Sequence, residues 1–204
     1  KLTEVDWFQL GADTPGRIDT SGVRPPDGVR LTELAGGSLA DMLVAGEVDA
    51  VLSASPPDLF KADDPRIARL IPDYQAAEQA YFRHTGIYPI MHTVVIKRSS
   101  FEANSWIARN LFNAFEAAKA HAVARMHDLG VSQLALPWIP AMVERLGAEM
   151  FPDGDYWPYG IAGSRTTLEA FLGFCHHQGV TARHLTPEDI FVPEARESFA
   201  QLKV

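Results

Sequence analysis

The sequence predicts an α/β protein with a helix-rich C-terminal half, and three stretches carry that reading. Val29 to Ala54 reads as strand, helix and strand; Gly86 to Arg98, GIYPIMHTVVIKR, has the pattern of a buried strand. From Ser100 onward the apolar residues recur at helical spacing. The elements follow in order.

Val5 to Leu10 is strand-like, and a turn-rich stretch from Gly11 to Gly28 separates it from a second short strand, Val29 to Leu34. Ser38 then sits as an N-cap after Gly36-Gly37, with Asp41 three residues on, close to a capping box, and the helix it opens should stop near Gly46. Val48 to Ala54, VDAVLSA, is apolar, contains β-branched valines and is followed by Pro56-Pro57, which suits a buried parallel strand ending at a loop. Arg66 to Ile71 is a further strand candidate, and Tyr74 to His84 a short helix closed by Gly86.

In the Gly86–Arg98 stretch, Ile87, Ile90, Met91, Val94, Val95 and Ile96 leave His92 and Thr93 as the interior polar side chains. Polar groups in a buried strand need partners or a ligand, because leaving one unsatisfied costs about 1–3 kcal/mol. Beyond it, Trp106, Ile107, Leu111, Phe112 and Phe115 share one face of a helical region from Phe101 to His127, either continuous or kinked. Ala141 to Met150 looks helical, and residues 151–163, FPDGDYWPYGIAG, form an aromatic loop. Thr166 with Glu169 predicts a capping box opening a helix that Gly179 stops, and Thr186-Pro187 predicts a capped helix start near the end.

Composition narrows the function. With 204 residues the chain can form one domain or two small ones, and 47% hydrophobic with 22% charged residues is ordinary for a globular protein. A formal charge of −8 argues against a general nucleic-acid surface, which rests on Lys and Arg neutralising phosphates. Small molecules or proteins are the expected partners. Cys175 is the single cysteine, so neither an intrachain disulfide nor a thiolate zinc cluster is expected. No run of eighteen apolar residues occurs, so membrane insertion is not expected, and KLTEVDWFQ lacks the apolar core of a signal peptide. The abrupt start at Lys1 reads as that of a fragment.

Candidate site residues come from position and chemistry. Ligands in open parallel sheets bind beyond the carboxyl ends of strands, which makes Ser53 and Ser55 candidates for hydrogen bonds to a ligand; capping the loop before Pro56-Pro57 is the alternative. Ser38, at a helix N-terminus, is placed either for anion binding or for ordinary capping. Arg17, in the TPGR turn, suits a two-point contact with a carboxylate, with a solvated turn arginine as the alternative. His92 can donate a proton or orient a ligand, since imidazole exchanges protons near neutrality, or it can be a structural residue. Tyr88, Trp157 and Tyr159 either wall an aromatic ligand or fill a core. His84, near a helix end, is accounted for by the helix dipole. His176 and His177 are adjacent on a helix and point about 100° apart, a poor metal geometry. The HExxH, P-loop and GxSxG motifs are absent.

GIYPIMHTVVIKR, the TPGR of 14–17, the ALPW of 135–138, the YWPYG of 156–160 and the LTPEDIFVPE of 185–194 together resemble the 4,5-dihydroxyphthalate decarboxylase family, in order along nearly the whole chain. Members of that family are similar in fold to type II periplasmic binding proteins and are often described as substrate-binding proteins of ABC transporters. The resemblance implies two α/β lobes with crossing hinge strands and a ligand cleft between them. On it, residues 1–86 form part of the second lobe, 87–98 cross the hinge, and 99–204 are the helical remainder of the first lobe, with an N-terminal part outside this chain. One departure is local: the family usually reads something like EANR after PYG, where this chain has IAGSR.

The activity this implies is decarboxylation of a hydroxylated aromatic acid such as 4,5-dihydroxyphthalate, without a cofactor or metal. His92 is then the candidate acid, and Arg17, Ser38, Ser53, Ser55, Thr93 and Tyr159 are the candidate substrate contacts. The alternative is a solute-binding protein that closes on a small carboxylate or aromatic ligand and does no chemistry. A cytoplasmic location goes with the enzyme, and a periplasmic one with a signal peptide in the complete gene. Homo-oligomerisation stays open.

Overall fold

The computed structural model describes residues 1–15, 25–128, 130 and 136–196. Contacts divide the chain into two compact units, Lys1–Ala77 with Cys175–Arg183, and Glu78–Phe174 with His184–Val204. Helices dominate, and among the described residues the strands form one two-stranded parallel sheet.

In the first unit that sheet pairs β1 (Asp6–Gln9) with β2 (Arg30–Glu33), in the register Asp6 opposite Arg30 and Gln9 opposite Glu33. Both strands lie within the strand-like stretches Val5–Leu10 and Val29–Leu34. The facing pair Asp6 and Arg30 forms an ion pair that holds the Asp6 carboxyl below its usual range, mainly through the hydrogen bond from Arg30. After β2, α1 (Leu39–Ala45) begins at Ser38 and ends at Gly46, whose φ of 73° gives the left-handed turn that closes a helix without Cβ strain. Leu39 and Ala40 donate their N–H groups to the carbonyls of Gly11 and Ala12, both at 3.0 Å, and Leu10, Ser38 and Ala40 are buried where the chain after β1 meets the start of α1.

Two strands expected in this unit do not form. Val48 to Ala54 is irregular and Leu52 is 91% exposed. A strand exists only with a ladder, and β1 and β2 pair with each other alone among the described strands. Arg66 to Ile71 is a turn followed by irregular chain. Asp64 accepts hydrogen bonds from the backbone and guanidinium of Arg66 at 2.6–3.0 Å, which bends the chain locally and lowers the Asp64 carboxyl to about 2. Arg69 then lies between the Phe60 ring of α2 (Asp58–Lys61) and the Tyr74 ring, 5.0 and 4.6 Å from their centroids, a cation–π sandwich rather than a ladder residue.

The remaining helices belong wholly or mostly to the second unit. α3 (Tyr74–Thr85) ends at Gly86, with φ 67° and a 2.7 Å hydrogen bond to the Phe82 carbonyl. The region from Phe101 to His127 resolves into α4 (Arg98–Ala103) and α5 (Trp106–His127), separated where Asn104 closes the first helix on the Ser100 and Phe101 carbonyls. α5 packs against α6 (Ile139–Met150) and against the short turn of helix at Pro193–Ala195. Ala108 of α5, together with Ile161, Leu168 and Leu172 of α7 (Gly160–His177), is buried.

α7 begins six residues before the predicted capping box. One of its N-terminal N–H groups has a distant partner, Ile161 N–H reaching the Arg196 carbonyl at 2.9 Å, and Ser164 Oγ ties the first turn to the preceding loop by donating to the Pro158 carbonyl at 3.1 Å. Thr166 is therefore inside the helix, and Glu169 pairs with Arg165 at 3.0 Å. Arg165 also reaches Glu188 of α8 (Pro187–Ile190) at 2.5 Å, and that bond holds Glu188 below the usual carboxylate range. α8 starts at the predicted capping threonine with Pro187 in its first turn, and the structure adds a capping box, with Thr186 N–H donating to Asp189 at 2.8 Å.

Residues 87–97 are irregular and join no ladder among the described strands, and Arg98 already opens α4, so the buried strand read from GIYPIMHTVVIKR is not what forms. Val95 is 87% exposed, and Met91 and Val94 are exposed with it. The apolar pattern registers a demand for burial without naming the partner that would satisfy it. Among the described residues, no helix is long and apolar enough to cross a membrane.

Candidate functional site

The second unit bears an open cavity of about 1060 Å³. One wall is the irregular segment itself, with Tyr88, His92, Thr93 and the apolar residues to Ile96 lining it in succession. The exposed valines and the histidine of that segment therefore face a cavity, not a sheet interior. The opposite boundary comes from Phe112 and Phe115 of α5, the loop 151–159 and the start of α7.

Aromatic rings interlock around this space. Tyr88 meets Phe82, Phe151 and Trp157 edge to face, with centroids 6.4, 5.3 and 5.8 Å apart. Tyr159 meets Phe112 and Phe115 at 6.4 and 6.3 Å, also edge to face. Such arrangements offer the edge of one ring to the face of the next, and an aromatic guest can join the same pattern. Tyr88 is held by its backbone N–H, which donates to the buried Thr167 hydroxyl of α7 at 3.2 Å.

The polar groups are few. His92 and Thr93 stand on the segment, Arg98 opens α4, and Asp153 and Asp155 lie on the loop. Arg98 is exposed and makes no hydrogen bond or ion pair with a described residue, whereas Asp155 is neutralised by Lys119 at 3.0 Å. His92 likewise has no hydrogen-bond partner among the described residues. The cavity thus combines an aromatic lining with one permanent cation, one uncommitted imidazole and the Asp153 carboxylate.

Gly163 sets how closely the loop approaches α7. A Cβ there would stand 2.8 Å from Pro158 Cβ, and a proline ring has no flexible end to swing away. Gly163→Ala is expected to destabilise the protein by about 1–3 kcal/mol through overpacking. Thermal denaturation checks it, and an unchanged melting temperature would show that loop and helix can separate freely.

The predicted site residues fall into three groups. His92, Thr93 and Tyr159 come together on this cavity. Ser38, Ser53 and Ser55 belong to the first unit, and Arg17 lies outside the described residues. The Ser38 hydroxyl is buried and fully used: it accepts the Asp41 N–H at 3.1 Å and donates to the Asp41 carboxylate at 2.7 Å, a neighbour that would repel an anion. Ser53 and Ser55 are exposed, and Ser55 N–H approaches Ser53 Oγ at 3.4 Å. Arg98 was not among the candidates read from the sequence: it ends GIYPIMHTVVIKR beside Lys97, and nothing in the spacing distinguishes the two. Among the described residues, no group of three His, Cys, Asp or Glu side chains is placed to hold a metal ion.

Comparison with known proteins bears on what such a cavity serves. No protein-family model matches the chain. A curated 4,5-dihydroxyphthalate decarboxylase of Comamonas testosteroni is 30% identical over 200 residues, 98% of this chain. The chain is homologous to that decarboxylase. A second protein of the same name, from Pseudomonas putida, is 29% identical over 84 residues, 41% of this chain and 33% of its own length. The chain spans 60% of the length of the Comamonas decarboxylase. The motifs from TPGR to LTPEDIFVPE thus lie within an alignment that covers almost the whole chain.

Proposed function

We propose that this chain belongs to a decarboxylase acting on a hydroxylated aromatic carboxylic acid such as 4,5-dihydroxyphthalate, with the cavity of the second unit holding the ring. The observation that carries the proposal is the coincidence, in one aromatic-lined cavity, of a free guanidinium and a free imidazole on a chain homologous to 4,5-dihydroxyphthalate decarboxylase. The proposal includes the two-lobed, type II periplasmic-binding-protein-like architecture that the motifs imply.

The chemistry asks little of the protein beyond placement and a proton. A hydroxyl para to the departing carboxylate feeds electron density into the ring, so the ring carbon can accept a proton. The carbon–carboxyl bond then breaks, its electron pair restores the aromatic ring, and carbon dioxide leaves. Arg98 holds a carboxylate by charge-assisted hydrogen bonds, the aromatic wall fixes the ring plane, and His92 delivers the proton and recovers it from water. This route requires no redox cofactor, because no net electron transfer occurs.

The test is carbon dioxide release from 4,5-dihydroxyphthalate, with calorimetric binding measured in parallel. Release together with formation of the monocarboxylate supports the proposal. Binding without release would overturn it for that substrate and favour a solute-binding protein, whose lobe closure needs the same contacts and no proton donor.

A further inference from the structure

Lys119 does not line the cavity, yet it controls where one wall stands. It lies on α5, one turn beyond Phe115 on the same face, and its side chain is 13% exposed. Its ammonium donates to both Asp155 oxygens at 3.0 and 3.2 Å and to the Trp157 carbonyl at 3.1 Å, and it pairs with Glu116 at 3.0 Å. The same nitrogen is 4.8 Å from the centroid of the Tyr159 ring. One cation thus engages three of the five residues from Asp155 to Tyr159, and Asp155 Oδ1 tightens the turn by accepting the Trp157 N–H at 3.1 Å.

A mostly buried lysine is an expensive way to fill space, because its charge must be desolvated and an apolar side chain of similar volume packs at lower cost. What the ammonium adds is direction. Its three donors fix the loop backbone at Trp157 and the loop carboxylate at Asp155, and its charge draws the face of the Tyr159 ring. Phe112, Phe115 and Lys119 form one row along α5, at i, i+3 and i+7, so the ring rests on a helical ridge.

We infer that Lys119 is a positioning residue that sets the Trp157 and Tyr159 rings against the cavity, so that affinity for an aromatic guest depends on a side chain that does not touch it. The link to affinity rests on the reading of the cavity as a ring site; the hold on the loop does not.

Two readouts separate them in the full chain labelled with 5-fluorotryptophan, the Trp157 resonance being assigned from W157F. In Lys119→Met, which keeps the aliphatic stem over Tyr159, the Trp157 fluorine resonance should shift or broaden while those of Trp7, Trp106 and Trp138 stay in place. The dissociation constant for phthalate should rise tenfold or more, and Lys119→Arg should restore most of both. An unmoved Trp157 resonance overturns the inference, and a displaced resonance with unchanged phthalate affinity overturns the link to binding. If Lys119→Met does not fold, Asp155→Asn decides by the same criteria, since it keeps an acceptor for Trp157 N–H and loses the charge that Lys119 grips. A wild-type chain that binds no phthalate refutes the ring-site reading, while the fluorine spectrum still judges Lys119.

Discussion

Replacing Arg98 with methionine will weaken phthalate binding by about ten- to a hundredfold, the loss expected when hydrogen bonds to a charged group worth about 1.5–3 kcal/mol are removed. Arg98 is the permanent cation on the cavity lining and is committed to no described carboxylate, so its guanidinium can meet a ligand carboxylate at two points. Asp155 cannot compete for it, because Lys119 already neutralises that carboxylate. Calorimetry with phthalate and with an uncharged aromatic of similar size separates charge from ring contact. Arg98→Met should spare the uncharged guest, and Arg98→Lys should recover only part of the phthalate affinity. Equal binding of phthalate by wild type and Arg98→Met would return Arg98 to the class of solvated surface cations.

The contrast between Arg98 and Ser38 shows what a sequence can and cannot announce about a site. Ser38 carries a local signal, a small polar residue three before Asp41 at the start of an apolar helix, and the structure shows Ser38 as the N-cap, its hydroxyl accepting the Asp41 N–H. Other local signals were legible in the same way: the Gly46 and Gly86 stops and the Thr186 cap all depend on residues a few positions apart. What depends on distant partners was not. α7 starts at Gly160 because its backbone is met by Arg196, thirty-six residues on, and no window around Thr166 contains that fact. GIYPIMHTVVIKR illustrates the same limit for the site. Its apolar run encodes the need for cover, which a sheet, a core or a ligand cavity satisfies equally in the pattern. His92, Thr93 and Tyr159 line one cavity, but no sequence window shows that they meet, and Lys119 looked like any helical lysine until the loop folded onto it.

His92→Gln should separate binding from turnover. Glutamine nearly matches imidazole in size and keeps an N–H donor, so the segment and its aromatic neighbours need not move, and phthalate affinity should stay within about threefold. What glutamine lacks is a proton it can give up near neutrality. General acid catalysis by a placed side chain contributes about a hundred- to ten-thousandfold, so decarboxylation of 4,5-dihydroxyphthalate should fall by that factor while binding persists. Placement supports this role: His92 lines the cavity, spends no hydrogen bond on a described neighbour and stands on the same segment that ends in Arg98. A substrate held at Arg98 by one carboxylate would have to bring its second, departing carboxylate within reach of the imidazole. Single-turnover measurements give the chemical step directly, and parallel titrations give the affinity. A variant that turns over at the wild-type rate would remove His92 from the proton transfer, and one that loses affinity in proportion to rate would make it a binding residue instead.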